Sequence, residues 1–239
     1  CLPRLRSRRP RRGWVVTLFV TAIAAITRFT MLGYPTDAGT PVFDEKHYAP
    51  QGWQVLTGGW LEDNPGYGLV VHPPIGKQLI AMGEAIFGYN GWGWRFASAV
   101  AGTIMVLLVI RIVRRLTRST LIGGLAGILL VADGVTFVSS RLGMLDIFLA
   151  LFAVAALGCL IVDRDQVRER MARVYDEGRI GDSDWGPRLG VRWWRFAPGS
   201  CWVWRAAPNG RASTSSCSSG CSASHSTCRP DAPTGCGAR

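Results

Sequence analysis

The chain has 239 residues, of which 48% are hydrophobic and 18% charged, with a formal net charge of +11. That apolar content excludes a disordered polyelectrolyte, and its gathering into long blocks excludes an ordinary soluble domain built around one core. The seven cysteines do not form a secreted disulfide scaffold either: Cys1 and Cys159 stand apart, while Cys201, Cys217, Cys221, Cys228 and Cys236 crowd one tail.

Four blocks approach the roughly 20 apolar residues that a bilayer core requires. Trp14–Tyr34 contains one charge, Arg28. Phe96–Val113 has Arg111 near its end, Leu121–Val138 only Asp133, and Leu142–Val162 only Asp146. A cleaved signal peptide would account for the first block alone. The opening at Cys1, without an initiator Met, reads as a fragment.

Between the first two blocks, Pro74–Phe87 is a short amphipathic stretch with Ile75, Leu79, Ile80, Ile86 and Phe87 apolar. Pro73 and Pro74 suit a helix start and Gly88 its end, predicting a helix on the outer membrane surface. Trp92 and Trp94 fit the aromatic belt at the mouth of the second span. After the fourth block, "DRDQVRERMARVYDEGR" carries acid–base pairs at helical spacing and reads as a solvated helix.

The arginines set the orientation. Arg4, Arg6, Arg8, Arg9, Arg11 and Arg12 precede the first span, Arg114, Arg115 and Arg118 separate the second from the third, and Arg164, Arg168, Arg170 and Arg173 follow the fourth. The long loop Pro35–Trp94 instead sets Asp37, Asp44, Glu45, Glu62, Asp63 and Glu84 against Lys46 and Lys77. The positive-inside rule then gives a cytoplasmic N-terminus and an extracytoplasmic first loop. The basic runs flank apolar spans and line no soluble face, so nucleic-acid binding is not expected. The expected class is an all-α polytopic membrane protein. Residues 1–13 are a basic cytoplasmic arm, 14–162 a four-span membrane domain with the extracytoplasmic loop 35–94, 163–198 a cytoplasmic connection, and 199–239 a low-complexity tail.

With this topology Arg28, Arg95, Asp133, Arg141 and Asp146 all fall in the outer half of the bundle, beneath the acidic loop. Ionisable groups in a membrane are costly unless paired or facing a cavity, so each is a candidate site residue. Snorkelling to headgroups is the other reading of Arg28 and Arg95, and a structural pair with Arg141 that of Asp146. In the loop, Asp44 and Glu45 form an adjacent carboxylate pair, and His72-Pro73-Pro74 precedes Lys77. Buried arginines together with a carboxylate suit transfer from a lipid-linked phosphate. The phosphate leaving group needs the bidentate hydrogen bonds of arginine, and an acceptor hydroxyl needs a base. A single displacement of this kind inverts the transferred sugar.

"VFDEKHYAPQ", "HPPIGKQLI", "GYNGWGWRF" and "RLGMLDIFL", taken in order, resemble the protein O-mannosyltransferases, and within them the actinobacterial polyprenol-phosphate-mannose–protein mannosyltransferases. The likeness runs from about Trp14 to Phe196. It implies the N-terminal part of a GT-C class membrane glycosyltransferase in the plasma membrane. Such an enzyme moves mannose from a polyprenyl-phosphate-mannose donor to Ser or Thr hydroxyls of exported, Ser/Thr-rich proteins. It further implies Asp44 and Glu45 as catalytic residues, with Asp44 the chosen base, and Arg28, His72, Lys77, Arg95, Arg141 and Asp146 as substrate-binding residues. No metal and no cofactor is assigned. A transferase acting on a glycan or lipid acceptor, and a non-catalytic membrane protein, stand as alternatives.

The likeness stops after Phe196. Cys217, Cys221, His225 and Cys228 form an accepted zinc-ligand set, but a shifted frame explains the tail better. Gly199–Ala212, back-translated with permitted codons and read out of frame, yields an apolar stretch resembling the family's continuation. A frameshift near Ala197–Gly199 is therefore expected, with this chain an inactive truncated form.

Overall fold

The computed structural model describes residues 10–34, 40–59, 74–177 and 191–195. The chain divides into two units, Cys1–Asn209 and Gly210–Arg239, and every described residue belongs to the first. His72, Pro73, the Ala197–Gly199 junction and the tail's cysteines and His225 lie outside the described residues.

The described residues form seven α-helices and no β-strand: α1 Pro10–Phe29, α2 Glu45–Thr57, α3 Pro74–Phe87, α4 Gly91–Thr117, α5 Thr120–Ala132, α6 Gly134–Arg141 and α7 Asp146–Asp176. Three of them, α1, α4 and α7, are long and apolar enough to cross a membrane. The bent pair α5–α6 makes a fourth if it is counted as one span. The expected third span is thus broken, by a 62° bend. The break falls at Asp133, whose carboxylate accepts a hydrogen bond from the Thr136 N–H at 2.8 Å and caps α6. Asp133 is exposed there and is a helix cap instead of a buried charge.

α4 is the central helix and packs against each of the other six. The packing follows membrane logic, with small residues inside and large ones outside. α5 buries Gly123, Gly124 and Gly127 and exposes Leu121, Ile122, Leu125, Ile128 and Leu129. On α1, Val20 and Ala24 meet Val106 and Ile110 of α4, while Val15, Leu18, Phe19 and Ile26 face outward.

The start of α4 is held by Asn90, whose side chain accepts from the N–H groups of Trp92 and Gly93, both at 3.0 Å. α3 covers this end at very short range. A Cβ on Gly83 would lie 2.3 Å from the Gly93 carbonyl oxygen, so only glycine permits the approach. This cover buries Trp94 completely, against Tyr89 at 5.2 Å between ring centroids. Trp94 is therefore a core residue and not part of an interfacial belt; Trp92 stays partly exposed.

α7 has 31 residues, or about 46 Å of helix, against a hydrocarbon core of about 30 Å. It therefore outruns a bilayer and continues to Asp176, into the segment read above as a solvated helix.

Candidate active site

The site forms where the end of α1, the start of α2, the start of α4 and the α6–α7 turn converge. The chain enters α2 through Phe43, whose φ of 57° lies in the left-handed region, a costly conformation for an aromatic residue. The reversal sets Asp44 and Glu45 at the start of α2, pointing to different surroundings.

Glu45 is fully buried. Its Oε1 accepts from Arg95 Nε at 2.6 Å and from the Gly143 N–H at 2.6 Å. Its Oε2 accepts from Arg95 Nη2 at 2.7 Å and from the Val42 N–H at 3.1 Å. The guanidinium also donates Nη1 to the Leu32 carbonyl at 3.0 Å. One bidentate ion pair therefore ties α2, α4, the segment after α1 and the α6–α7 turn together. Such a pair costs much desolvation and holds only because its remaining lone pairs and protons are satisfied.

Asp44 is half-buried, and its carboxylate caps none of the α2 N–H groups. One turn on, Tyr48 stands within electrostatic reach of both Asp44 and Asp146. Burial, reinforced by those two carboxylates, pushes the Tyr48 phenol above its ordinary value. The structure thus brings Asp44, Tyr48 and Asp146 together. Asp146 is exposed at the first position of α7.

Arg141 does not pair with Asp146. Its Nη2 donates to the carbonyls of Thr30 at 2.9 Å and Met31 at 3.1 Å, bracing the end of α1. Arg28, in the last turn of α1, is fully buried. Its Nη1 reaches the Ala24 carbonyl at 3.4 Å, and its Nε and Nη2 have no hydrogen-bond partner among the described residues. Gly102 makes room for it: a Cβ there would lie 2.9 Å from Arg28 Nε and 2.4 Å from Ser140 Cβ. Lys77 is buried in α3, at 1% exposure.

Two groups near the site are not legible as site residues in the sequence. Tyr48 carries a usable signal, lying one helical turn after Asp44. Glu84 carries none. It is 1% exposed between α3 and α2, with both carboxylate oxygens lacking a partner among the described residues. A Cβ on Gly52 of α2 would lie 2.9 Å from Glu84 Oε2. Burial pushes the Glu84 carboxyl up to about 8.

Residues 71–168 match the family model described as Dolichyl-phosphate-mannose-protein mannosyltransferase. With the helical bundle, this match defines the class: an all-α, multi-pass membrane protein, the N-terminal part of a GT-C type bundle. The chain is 68% identical over 188 residues to the polyprenol-phosphate-mannose–protein mannosyltransferase of Mycolicibacterium smegmatis (strain MKD8), covering 79% of this chain and 36% of that relative. To the enzyme of that name from Mycobacterium tuberculosis (strain CDC 1551 / Oshkosh) it is 65% identical over 188 residues, with the same coverage. A more distant relative, protein O-mannosyltransferase 1 of Drosophila melanogaster, is 26% identical over 186 residues, covering 71% of this chain and 18% of the relative. The resemblance read from the four motifs is borne out over the N-terminal part of this family. The chain spans about a third of the length of the bacterial relatives it matches, 36% in each case.

Proposed function

We propose that the whole protein is an inverting mannosyltransferase. It moves mannose from a polyprenyl-phosphate-mannose donor to Ser or Thr hydroxyls of exported proteins, and Asp44 is its base. The observation that carries this reading is the division of labour between two adjacent carboxylates. Glu45 has both oxygens engaged by four donors, whereas Asp44 is half-buried and its carboxylate caps none of the α2 N–H groups.

In the reaction, the acceptor hydroxyl oxygen attacks C1 of the mannose and passes its proton to the Asp44 carboxylate. The bond between C1 and the phosphate oxygen breaks, and polyprenyl phosphate leaves with the electron pair. Negative charge grows on that phosphate, and a guanidinium already desolvated needs no reorganisation to meet it. Arg28, with two nitrogens lacking a hydrogen-bond partner among the described residues, is suited to that task. Glu45 and Arg95 position Asp44, and Arg141 braces the end of α1. Asp146, His72 and Lys77 are assigned to substrate binding, and Tyr48 lies within electrostatic reach of Asp44 and Asp146.

The protein works in the plasma membrane with its N-terminus cytoplasmic and the loop carrying Asp44 outside. A reporter fused near Gly66 is then exported, and one fused near Arg170 is retained. The opposite pattern would remove Asp44 from the extracytoplasmic face. The acceptor is tested with membranes containing the whole protein, labelled polyprenyl-phosphate-mannose and a Ser/Thr-rich peptide. Label on the peptide supports the proposal, and label confined to glycan or lipid products favours a transferase with a different acceptor.

A further inference from the structure

About 28 Å along α4 from Arg95, α4 and α7 line a cavity of about 860 Å³. Its floor is apolar, made by Leu108 and Ile112 of α4 with Gly158 and Ile161 of α7. Three arginines of α4, Arg111, Arg114 and Arg115, and its cap residue Arg118 stand along it, with Trp194.

The arginines differ in how far they are satisfied. Arg115 pairs with Asp165 at 2.7 Å, and Asp165, the one carboxylate lining the cavity among the described residues, also takes Arg164 at 2.9 Å. Arg111 lies over the Trp14 ring at 3.9 Å, and its Nη1 is buried with no hydrogen-bond partner among the described residues. Arg114 donates Nε to Thr120 Oγ1 at 3.2 Å. Arg118, exposed at the cap of α4, is held in the left-handed region at φ 57°. Arg111, Arg114 and Arg118 therefore line the cavity without a carboxylate partner among the described residues, the guanidinium of Arg114 lying against Gly13 of α1.

A cationic row above an apolar floor, at the level where spanning helices leave the bilayer, calls for an amphiphilic anion. A phosphate diester accepts bidentate hydrogen bonds from guanidinium groups, acyl chains fill an apolar floor, and an indole suits the interface between them. Basic pockets between spanning helices hold anionic headgroups in this way, and the volume falls within the range of ligand sites. We propose that this cavity binds an anionic glycerophospholipid, with its phosphate on Arg114 and Arg118 and its acyl chains on the α4–α7 floor. The site is separate from the Asp44 end of the bundle and does not depend on the proposed reaction.

The test is native mass spectrometry of the 239-residue chain in a neutral maltoside detergent. Dioleoylphosphatidylglycerol and dioleoylphosphatidylcholine, which share acyl chains, are titrated separately. One phosphatidylglycerol should bind at least about tenfold more tightly than phosphatidylcholine, and Arg114→Gln/Arg118→Gln should abolish that preference. Arg168→Gln/Arg173→Gln removes the same charge from exposed positions of α7 outside the cavity and should preserve it. Arg118→Gln alone, at an exposed position, should weaken the preference and covers the case in which the double variant misfolds. Equal binding of the two lipids, or equal loss in both double variants, would overturn the site. Displacement of phosphatidylglycerol by polyprenyl phosphate at lower concentration would overturn the assignment to a glycerophospholipid.

Discussion

Glu45 and Arg95 lie 50 residues apart in sequence and meet through two parallel hydrogen bonds of 2.6 and 2.7 Å, with both side chains fully buried. The pair fixes the start of α2 against the start of α4. Removing one partner strands the other as a buried charge, which costs about 3–5 kcal/mol. Arg95→Ala should therefore destabilise the chain by about that amount in detergent unfolding, whereas Asp44→Asn should leave its stability near the parent's. Equal stability of parent and Arg95→Ala would show that the pair does not hold the site together.

Arg28 predicts the reverse behaviour. Its Nε and Nη2 have no partner among the described residues, so the fold carries an unrewarded buried charge. Arg28→Met should match or exceed the parent in thermal stability. In the whole protein the same change should raise the KM for polyprenyl-phosphate-mannose at least about tenfold, a loss of about 1.4 kcal/mol. A destabilised variant with normal donor KM would make Arg28 a structural residue.

Glu84 gives the fold a pH dependence with a defined sign. Its folded carboxyl lies at about 8 against an ordinary 4.5. Below about 4.5 both states hold the proton. Between about 4.5 and 8 the unfolded chain releases it while the folded chain keeps it, so stability falls as pH rises, and the loss is complete above about 8. The Tm of the chain should drop between pH 5 and pH 8.5, on the order of 10 °C, and Glu84→Gln should remove most of that drop. The same fall in parent and variant would place the titrating group elsewhere.

The helices were largely legible in the sequence because their signals are local. The diproline and Gly88 bound α3 at the observed residues, and apolar length marks α1, α4 and α7. The break at Asp133 was not legible, since one carboxylate in an apolar window reads as a buried charge until the Thr136 N–H that it caps is seen. Trp94 looked interfacial because its cover comes from Gly83 and Tyr89, across a loop. At the site, the acidic pair and the arginines were legible by type, but the contacts that each makes were not. Asp44 and Glu45 are neighbours in sequence, and only Arg95 and Gly143, 50 and 98 residues from Glu45, distinguish them.

In the proposed reaction Asp44 takes the acceptor's proton while Glu45 holds it in place. This assignment is tested most directly by kcat for mannose transfer to a Ser/Thr peptide in the whole protein, parent against Asp44→Asn, at equal folded protein. The amide keeps the shape of the side chain and cannot accept the proton. With this substitution kcat should fall roughly 100-fold or more with the donor KM little changed. A kcat near the parent's would contradict the assignment and remove Asp44 as the base.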